Sequence, residues 1–239
     1  MDTDKLKTFL VKGRDYFLPQ LSVDIVVVGF EEGTLKVLLL ELEDQWLLPG
    51  GYIFKEEAVE DAAKRILQER TGLERYYLQL LQIFGDAERS FPNIIQLVID
   101  KTGLDSIDCS WMAERYVSLT YYALVDIAQA KPTGGILGET FAWHALQSLP
   151  KMWFDHKKIA WSVLEKMKEN ILSSHQFTNL LPEKFTMPEL HQLHEHILEK
   201  KLDRSRFQKK MFSLDVFERL EEVKENVPHR KPYLYRLKK

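Results

Sequence analysis

Residues 51–73, GYIFKEEAVEDAAKRILQERTGL, decide the fold predicted for this chain of 239 residues. The preceding residues 46–50, WLLPG, favour a turn in which glycine permits backbone angles that are closed to other residues. A helix is predicted from Glu57 to Arg70. Gly72 suits its C-terminus, since glycine readily takes the left-handed conformation there.

This segment resembles the Nudix box, G-x5-E-x7-R-E-U-x-E-E-x-G-U, in which U is aliphatic. Seven positions match, namely Gly51, Glu57, Arg65, Leu67, Glu69, Gly72 and Leu73. Two acidic positions do not match. Ile66 and Arg70 stand where the box has glutamates.

The two replacements bear on chemistry, because residues 66, 69 and 70 share one face of the predicted helix. Three carboxylates there would bind a divalent cation such as Mg2+, which would polarise a diphosphate. An arginine stays protonated in proteins. Arg70 would repel a unit positive charge by about 4 kcal/mol at an effective dielectric of about 20. The sequence therefore predicts no catalytic residues, no metal site and no cofactor, whereas Arg70 could hold a phosphate or a sugar hydroxyl.

Composition describes an ordinary packed protein, with 45% hydrophobic residues. The single cysteine, Cys109, excludes an internal disulfide framework and fits a reducing compartment. The sequence shows no apolar run of about 20 residues and no signal-peptide pattern, so a cytoplasmic protein without membrane association is expected.

Residues 201–239 hold 12 Lys and Arg against 6 Asp and Glu, although the whole chain has a net charge of −3. A basic tail on an acidic body is one indication of nucleic-acid binding.

Local patterns predict the remaining elements of the N-terminal part. Asp4–Phe17 could be a short helix, and Asp155 can cap a long amphipathic helix that ends near Leu172. Residues 90–113 form an insertion with a helix at 93–101, and residues 173–179 are a polar connector. Strands are predicted at 23–29, 35–40, 78–84, 116–125 and 141–144.

The C-terminal part has the order of a winged helix-turn-helix. Thr186 is a plausible N-cap with Glu189 as its capping-box partner. Asp203 can cap a second helix, 204–213, which would bury Phe207 and Met211. Two strands, 217–222 and 232–237, would close the chain around a turn.

Both parts together resemble the Nudix-related transcriptional regulators of the NrtR-like family. The resemblance rests on the altered box and on LSVDIV at 21–26, FGD at 84–86, YYALV at 121–125, FDH at 154–156, FTMPEL at 185–190, LDRSRFQKK at 202–210 and RKPYLYR at 230–236. It implies an α+β fold, a Nudix α/β/α sandwich with a C-terminal winged helix-turn-helix domain. We expect an effector-binding domain at 1–150, a linking helix and connector at 151–180, and a DNA-binding domain at 181–239.

The resemblance also implies a function. Family members bind a small effector, an ADP-ribose-type metabolite or a sugar, without needing to hydrolyse it, and bind operator DNA as homodimers. We predict effector-binding residues at Gly50, Gly51, Glu57, Arg65, Glu69, Arg70 and Arg89. Glu57 and Arg65 could instead form a structural ion pair.

If 204–213 is the recognition helix, its outer face should meet the major groove. Arginine can bind guanine bidentately, whereas lysine more often contacts phosphate. The predicted DNA-binding residues are Arg204, Ser205, Arg206, Gln208, Lys209 and Lys210 on the helix, with His229, Arg230 and Lys231 at the hairpin tip.

The leading hypothesis is thus a transcriptional regulator in which a small metabolite (a sugar, a sugar phosphate or an ADP-ribose-like compound) modulates binding of double-stranded operator DNA. One alternative is a diverged Nudix hydrolase of a nucleoside diphosphate derivative. Another is a protein-interaction module whose basic tail is incidental.

Overall fold

The computed structural model describes residues 3–74, 76–90, 97, 110–133, 139–223 and 232–238. An N-terminal helix leads directly into a mixed sheet of seven strands. The elements of this part are α1 (Thr3–Tyr16), β1 (Phe17–Glu31), β2 (Thr34–Leu42), β3 (Gln45–Leu47), β4 (Gly50–Phe54), α2 (Val59–Thr71), β5 (Tyr77–Phe84), β6 (Val117–Leu124), β7 (Thr140–Ala145) and α3 (His156–Asn170).

The sheet has the order β3-β2-β1-β6-β5, while β4 also pairs with β1 and β7 with β2. Strand β1 is parallel to β6 and antiparallel to β2 and β4. Because successive side chains point to opposite faces, β1 supplies both layers of the core. Ile25 and Val27 pack in the cluster that includes α2, whereas Val26 and Val28 pack in the cluster that includes α3. This arrangement confirms the predicted α/β/α sandwich.

The C-terminal part is a winged helix, as predicted. It comprises β8 (Phe185–Thr186), α4 (Met187–Leu198), α5 (Arg204–Ser213), β9 (Phe217–Val223) and β10 (Tyr233–Leu237), with its small sheet in the order β8-β10-β9. The predicted capping box at Thr186 and Glu189 is present. Asp203 accepts a hydrogen bond from the backbone of Arg206 at 2.8 Å, so it caps α5.

One hydrophobic cluster joins the two parts. It runs from Val28 and Leu39 of the large sheet through Val163 of α3 to Leu193 of α4 and Phe207 of α5. The α4 helix also contacts the β1–β2 turn, where Phe30 and His196 rings lie 5.4 Å apart between centroids. The winged helix is therefore packed against the sandwich through buried apolar side chains.

Some sequence expectations need correction. Helix α2 begins at Val59 rather than Glu57, because the Glu57 carboxylate accepts hydrogen bonds from Phe54 and Arg65 just before the helix. Asp155 precedes α3 but makes no side-chain cap, since its carboxylate binds Arg89. The supposed polar connector contains a 3-10 helix, His175–Leu180, with three buried residues: Phe177, Thr178 and Leu180. The predicted helix at 93–101 lies outside the described residues, apart from residue 97.

Candidate effector cavity and DNA-binding surface

A cavity of about 390 Å³ lies between β4, α2 and the start of α3. Its volume falls within the range of small-molecule sites, about 300 to 1,000 Å³. Six of the predicted effector residues line it, whereas Glu57 is absent from the lining and accepts hydrogen bonds from two residues that form it, Phe54 and Arg65. The six are Gly50, Gly51, Arg65, Glu69, Arg70 and Arg89.

The wall formed by α2 carries the altered box positions. The buried Ile66 packs on the backbone of Gly51. A Cβ atom added to Gly51 would lie 3.1 Å from Cδ1 of Ile66. An aliphatic side chain thus fills the place of a carboxylate. Arg70 is half-buried and donates a long hydrogen bond of 3.4 Å to the carbonyl oxygen of Gly50. The box helix therefore presents an apolar group, a cation and Glu69 to the cavity.

Glu57 and Arg65 form the ion pair considered from the sequence. Arg65 donates from Nε and Nη2 to the two carboxylate oxygens at 2.7 and 2.8 Å. Nη2 also donates to the carbonyl of Tyr52 at 2.9 Å, and the guanidinium lies 4.4 Å from the Phe54 ring centroid. Hydrogen bonding from Arg65 lowers the pKa of Glu57. The pair therefore ties the β4 loop to α2.

The buried polar side of the cavity contains groups that the sequence reasoning missed. Asp24 accepts a hydrogen bond from Ser118, and its Oδ1 lies 3.8 Å from Nε2 of His156. His156 Nδ1 accepts from the backbone of Leu48 at 3.0 Å, which places its proton on Nε2 in the neutral form. Burial lowers the pKa of His156, so the ring is neutral at pH 7. A Cβ atom on Gly50 would lie 2.6 Å from Asp24 Oδ1, which explains the glycine.

Arg89 also lines the cavity, but its donors are used by the protein itself. Nε and Nη2 donate to the Asp155 carboxylate at 2.9 and 3.1 Å. Nη1 donates to the carbonyls of Phe84 and Tyr116. The side chain is 5% exposed. We interpret Arg89 as the residue that fixes the start of α3, beside Phe154, whose φ of 56° is strained for an aromatic residue.

A second part of the cavity lining is aromatic. Phe17 stacks on Phe54 with ring centroids 5.0 Å apart, and Phe9 of α1 lies 5.7 Å from Tyr52. Burial raises the pKa of Tyr52 to about 12, so its hydroxyl stays protonated. The sequence alone assigns no role to these aromatic residues. These residues are aromatic and lie in α1, at the start of β1 and in β4, but their spacing in the sequence does not match any pattern that marks a binding site.

The predicted DNA-binding surface of α5 is exposed. Phe207 and Met211 are buried as expected, while Gln208 is half-buried. His229, Arg230 and Lys231 lie outside the described residues. The exposed residues of the prediction are Arg204, Ser205, Arg206, Lys209 and Lys210.

Family models match both the N-terminal and the C-terminal part of the chain. The model for the NUDIX domain matches residues 18–162. The chain belongs to the Nudix family. The model for the NrtR DNA-binding winged helix domain matches residues 177–237. The prediction of an NrtR-like regulator, with a Nudix domain followed by a DNA-binding winged helix, is thereby confirmed.

Individual relatives cover most of the chain. An "ADPR responsive transcriptional repressor NtrR" of Acinetobacter baylyi is 26% identical over 219 residues, which are 88% of this chain and 79% of the relative. An "ADP-ribose pyrophosphatase" of Methanocaldococcus jannaschii is 27% identical over 158 residues, 64% of this chain and 78% of that protein. The crystal structure of Shewanella oneidensis NrtR with a 27mer DNA aligns with a TM-score of 0.73 at 25% identity, covering 92% of this chain and 94% of that one.

Within the described ranges, each helix is too short or too polar to span a membrane.

Proposed function

We propose that this protein is a DNA-binding transcriptional repressor whose Nudix cavity binds an ADP-ribose-like effector without hydrolysing it. The observation that carries the proposal is a winged helix with an exposed basic helix, packed against a Nudix sandwich. The cavity of that sandwich has Ile66 and Arg70 at two positions where the Nudix box has metal-binding glutamates. The repressor from Acinetobacter baylyi, named as responsive to ADPR, supports the choice of effector and the direction of regulation.

The cavity wall argues against hydrolysis. Mg2+ needs oxygen ligands, and a site on this helix would have to form beside a fixed positive charge. Ile66 closes the gap between α2 and the Gly51 backbone with an aliphatic group, so this position supplies no oxygen ligand. Binding without turnover suits a sensor, because the effector persists long enough to shift the equilibrium between two states of the protein.

We further propose that the protein acts as a homodimer, since paired recognition helices would contact two half-sites of an operator. Such an arrangement predicts a palindromic site.

The test begins with selection of operator sequences from a random duplex library by the full-length protein. Anisotropy titrations on the selected duplex should then show weaker binding after Arg204→Ala but not after Lys64→Ala, a control that removes a cation from the exposed face of α2. Added ADP-ribose should release the duplex. If ADP-ribose leaves operator affinity unchanged, the proposed effector is wrong; if Arg204→Ala has no effect, the proposed recognition helix is wrong.

Hydrolysis of a nucleoside diphosphate derivative is the second candidate function, favoured by the similarity to the pyrophosphatase of Methanocaldococcus jannaschii. Asp24, Glu69 and Glu139 are carboxylates that line the cavity. Mg2+-dependent hydrolysis of ADP-ribose to AMP and ribose phosphate, detected by chromatography of the products, would establish this activity. We expect no turnover above the rate in the absence of protein.

A further inference from the structure

We propose that Arg70 takes over the role of a metal ion in this cavity and binds the diphosphate of the effector directly, so that effector binding needs no divalent cation. This inference rests on the proposed function, because it names the part of an ADP-ribose-like molecule that the residue would recognise. It assigns a specificity-determining role to one side chain.

The pairing of charges around the cavity singles out this arginine. Arg65 is occupied by Glu57 and Glu69, and Arg89 is occupied by Asp155. Among the residues that the structure describes, no carboxylate forms an ion pair with Arg70, and the guanidinium makes only the 3.4 Å contact with Gly50. Arg70 can therefore turn most of its donors toward a ligand without breaking an ion pair.

The geometry of an arginine suits this task. Its planar guanidinium donates pairs of hydrogen bonds to phosphate oxygens and keeps its charge at every relevant pH. Arg70 is half-buried on the cavity wall, where screening by water is weaker than at an exposed position. Ile66 beside it offers no competing negative charge.

A helix C-terminus would normally disfavour an anion, because its last carbonyl groups carry partial negative charge. Here those carbonyls are occupied. Gly72 donates to the carbonyl of Gln68 at 2.8 Å. The segment after β6 supplies the remaining donors: Lys131 N to the carbonyl of Thr71 at 2.8 Å, and Thr133 N to that of Arg70 at 3.0 Å.

The hydroxyl of Thr133 completes this arrangement by donating to the carbonyl of Glu69 at 2.6 Å. The end of α2 is thus satisfied by neutral donors, which reduces the repulsion that the helix end would exert on an anion at Arg70. The nearest acidic side chain on the helix, Glu69, lies within 3.3 Å of Arg65 and is partly neutralised by it.

The experiment is calorimetric titration of full-length protein with ADP-ribose, once with EDTA and once with excess Mg2+. The unsubstituted protein should bind equally well in both buffers. Arg70→Gln should weaken binding by about 10- to 100-fold, as expected for loss of hydrogen bonds to a charged group. Arg70→Lys should be intermediate, because it keeps the charge but not the paired donors.

Two further variants sharpen the result. Lys64→Gln removes the same charge from the exposed face of α2 and should leave ADP-ribose binding unchanged within about 2-fold, since exposed charges are screened by salt. Arg70→Glu restores a carboxylate near Glu69, so its weakened binding should recover in part when Mg2+ is added. Operator binding without ligand should persist in every variant and serves as the test of folding.

Two outcomes would overturn the inference and leave the proposed function intact. One is ADP-ribose binding that requires Mg2+ in the unsubstituted protein. The other is unchanged affinity and unchanged operator release in Arg70→Gln. Absence of ADP-ribose binding by the unsubstituted protein would instead overturn the proposed effector together with this role of Arg70.

Discussion

Two ion pairs join the segment after β5 to the start of α3, and they make a matched test of burial. Arg89 binds Asp155 with the two side chains 5% and 21% exposed. Lys158 binds Asp86 at the same N···O distance of 2.9 Å, but its side chains are 65% and 60% exposed. Replacement of each aspartate by asparagine removes one charge from each pair and nearly preserves the shape.

The buried pair should contribute far more to stability. Asp155→Asn removes the charge that pairs with the buried Arg89 guanidinium, and breaking a buried pair in this way typically costs about 3 to 5 kcal/mol. Because Asp24 lies 3.9 Å from Arg89, part of the compensation remains, and the lower value of about 3 kcal/mol is expected. Asp86→Asn should have a much smaller effect on stability, since water and salt screen an exposed pair.

Thermal denaturation followed by circular dichroism measures both effects. For a chain of this size, about 1 kcal/mol corresponds to about 2 to 4 °C, so Asp155→Asn should lower Tm by about 6 to 12 °C. Asp86→Asn should lower Tm clearly less than Asp155→Asn does.

A double-mutant cycle with Arg89→Met measures the interaction energy between Arg89 and Asp155. It thereby separates that energy from the favourable interaction of the Asp155 carboxylate with the N-terminus of α3. The coupling energy should exceed about 1 kcal/mol for groups in direct contact. Equal Tm shifts in the two asparagine variants would contradict the role assigned to burial. Simple additivity of the effects of Arg89→Met and Asp155→Asn would contradict a direct interaction between the two side chains.

Three other predictions concern the winged helix. Burial lowers the pKa of His194 to about 4 from 6.5, so the unfolded state binds a proton first as pH falls. About 3 kcal/mol of stability present above pH 6.5 should therefore be lost by about pH 4, and His194→Leu should flatten this slope in denaturant titrations at several pH values. Thr186→Ala removes the α4 cap and should cost about 1 kcal/mol of unfolding free energy in urea; no loss would contradict the capping role. Lys209→Ala should reduce the salt dependence of operator affinity by about one unit of log–log slope, measured by anisotropy, whereas an unchanged slope would place this lysine away from phosphate.

The sequence allowed prediction of the elements whose signals are local. The spacing of the box located α2 to within two residues at its start, and Gly72 marked its end with a φ of 64°. The capping box of α4, the Asp203 cap of α5 and the buried pair Phe207 and Met211 were predicted correctly, because a cap and a helical stripe depend on residues a few positions apart.

Long-range contacts could not be predicted in this way. Asp155 stood in a plausible capping position, yet its carboxylate binds Arg89, 66 residues earlier in the chain. Asp24 sits in an apolar strand and meets His156 from a distant helix. Such pairs depend on the sheet order, and nothing in the local pattern of either residue specifies its partner. For the same reason the aromatic wall at Phe9 and Tyr52 emerged only from the structure.

The shared hydrophobic cluster has a consequence for how the DNA-binding part can move. A segment that joins two independent modules usually tolerates insertions, but residues 171–185 bury Ile171, Phe177, Leu180 and Phe185 in that cluster. Close-packed side chains interlock and shift between discrete arrangements rather than sliding continuously. Regulation by reorientation of the winged helix would therefore occur between discrete packed states. A change in the length of residues 171–185 would displace these buried side chains and disrupt the packing, rather than lengthen a flexible linker.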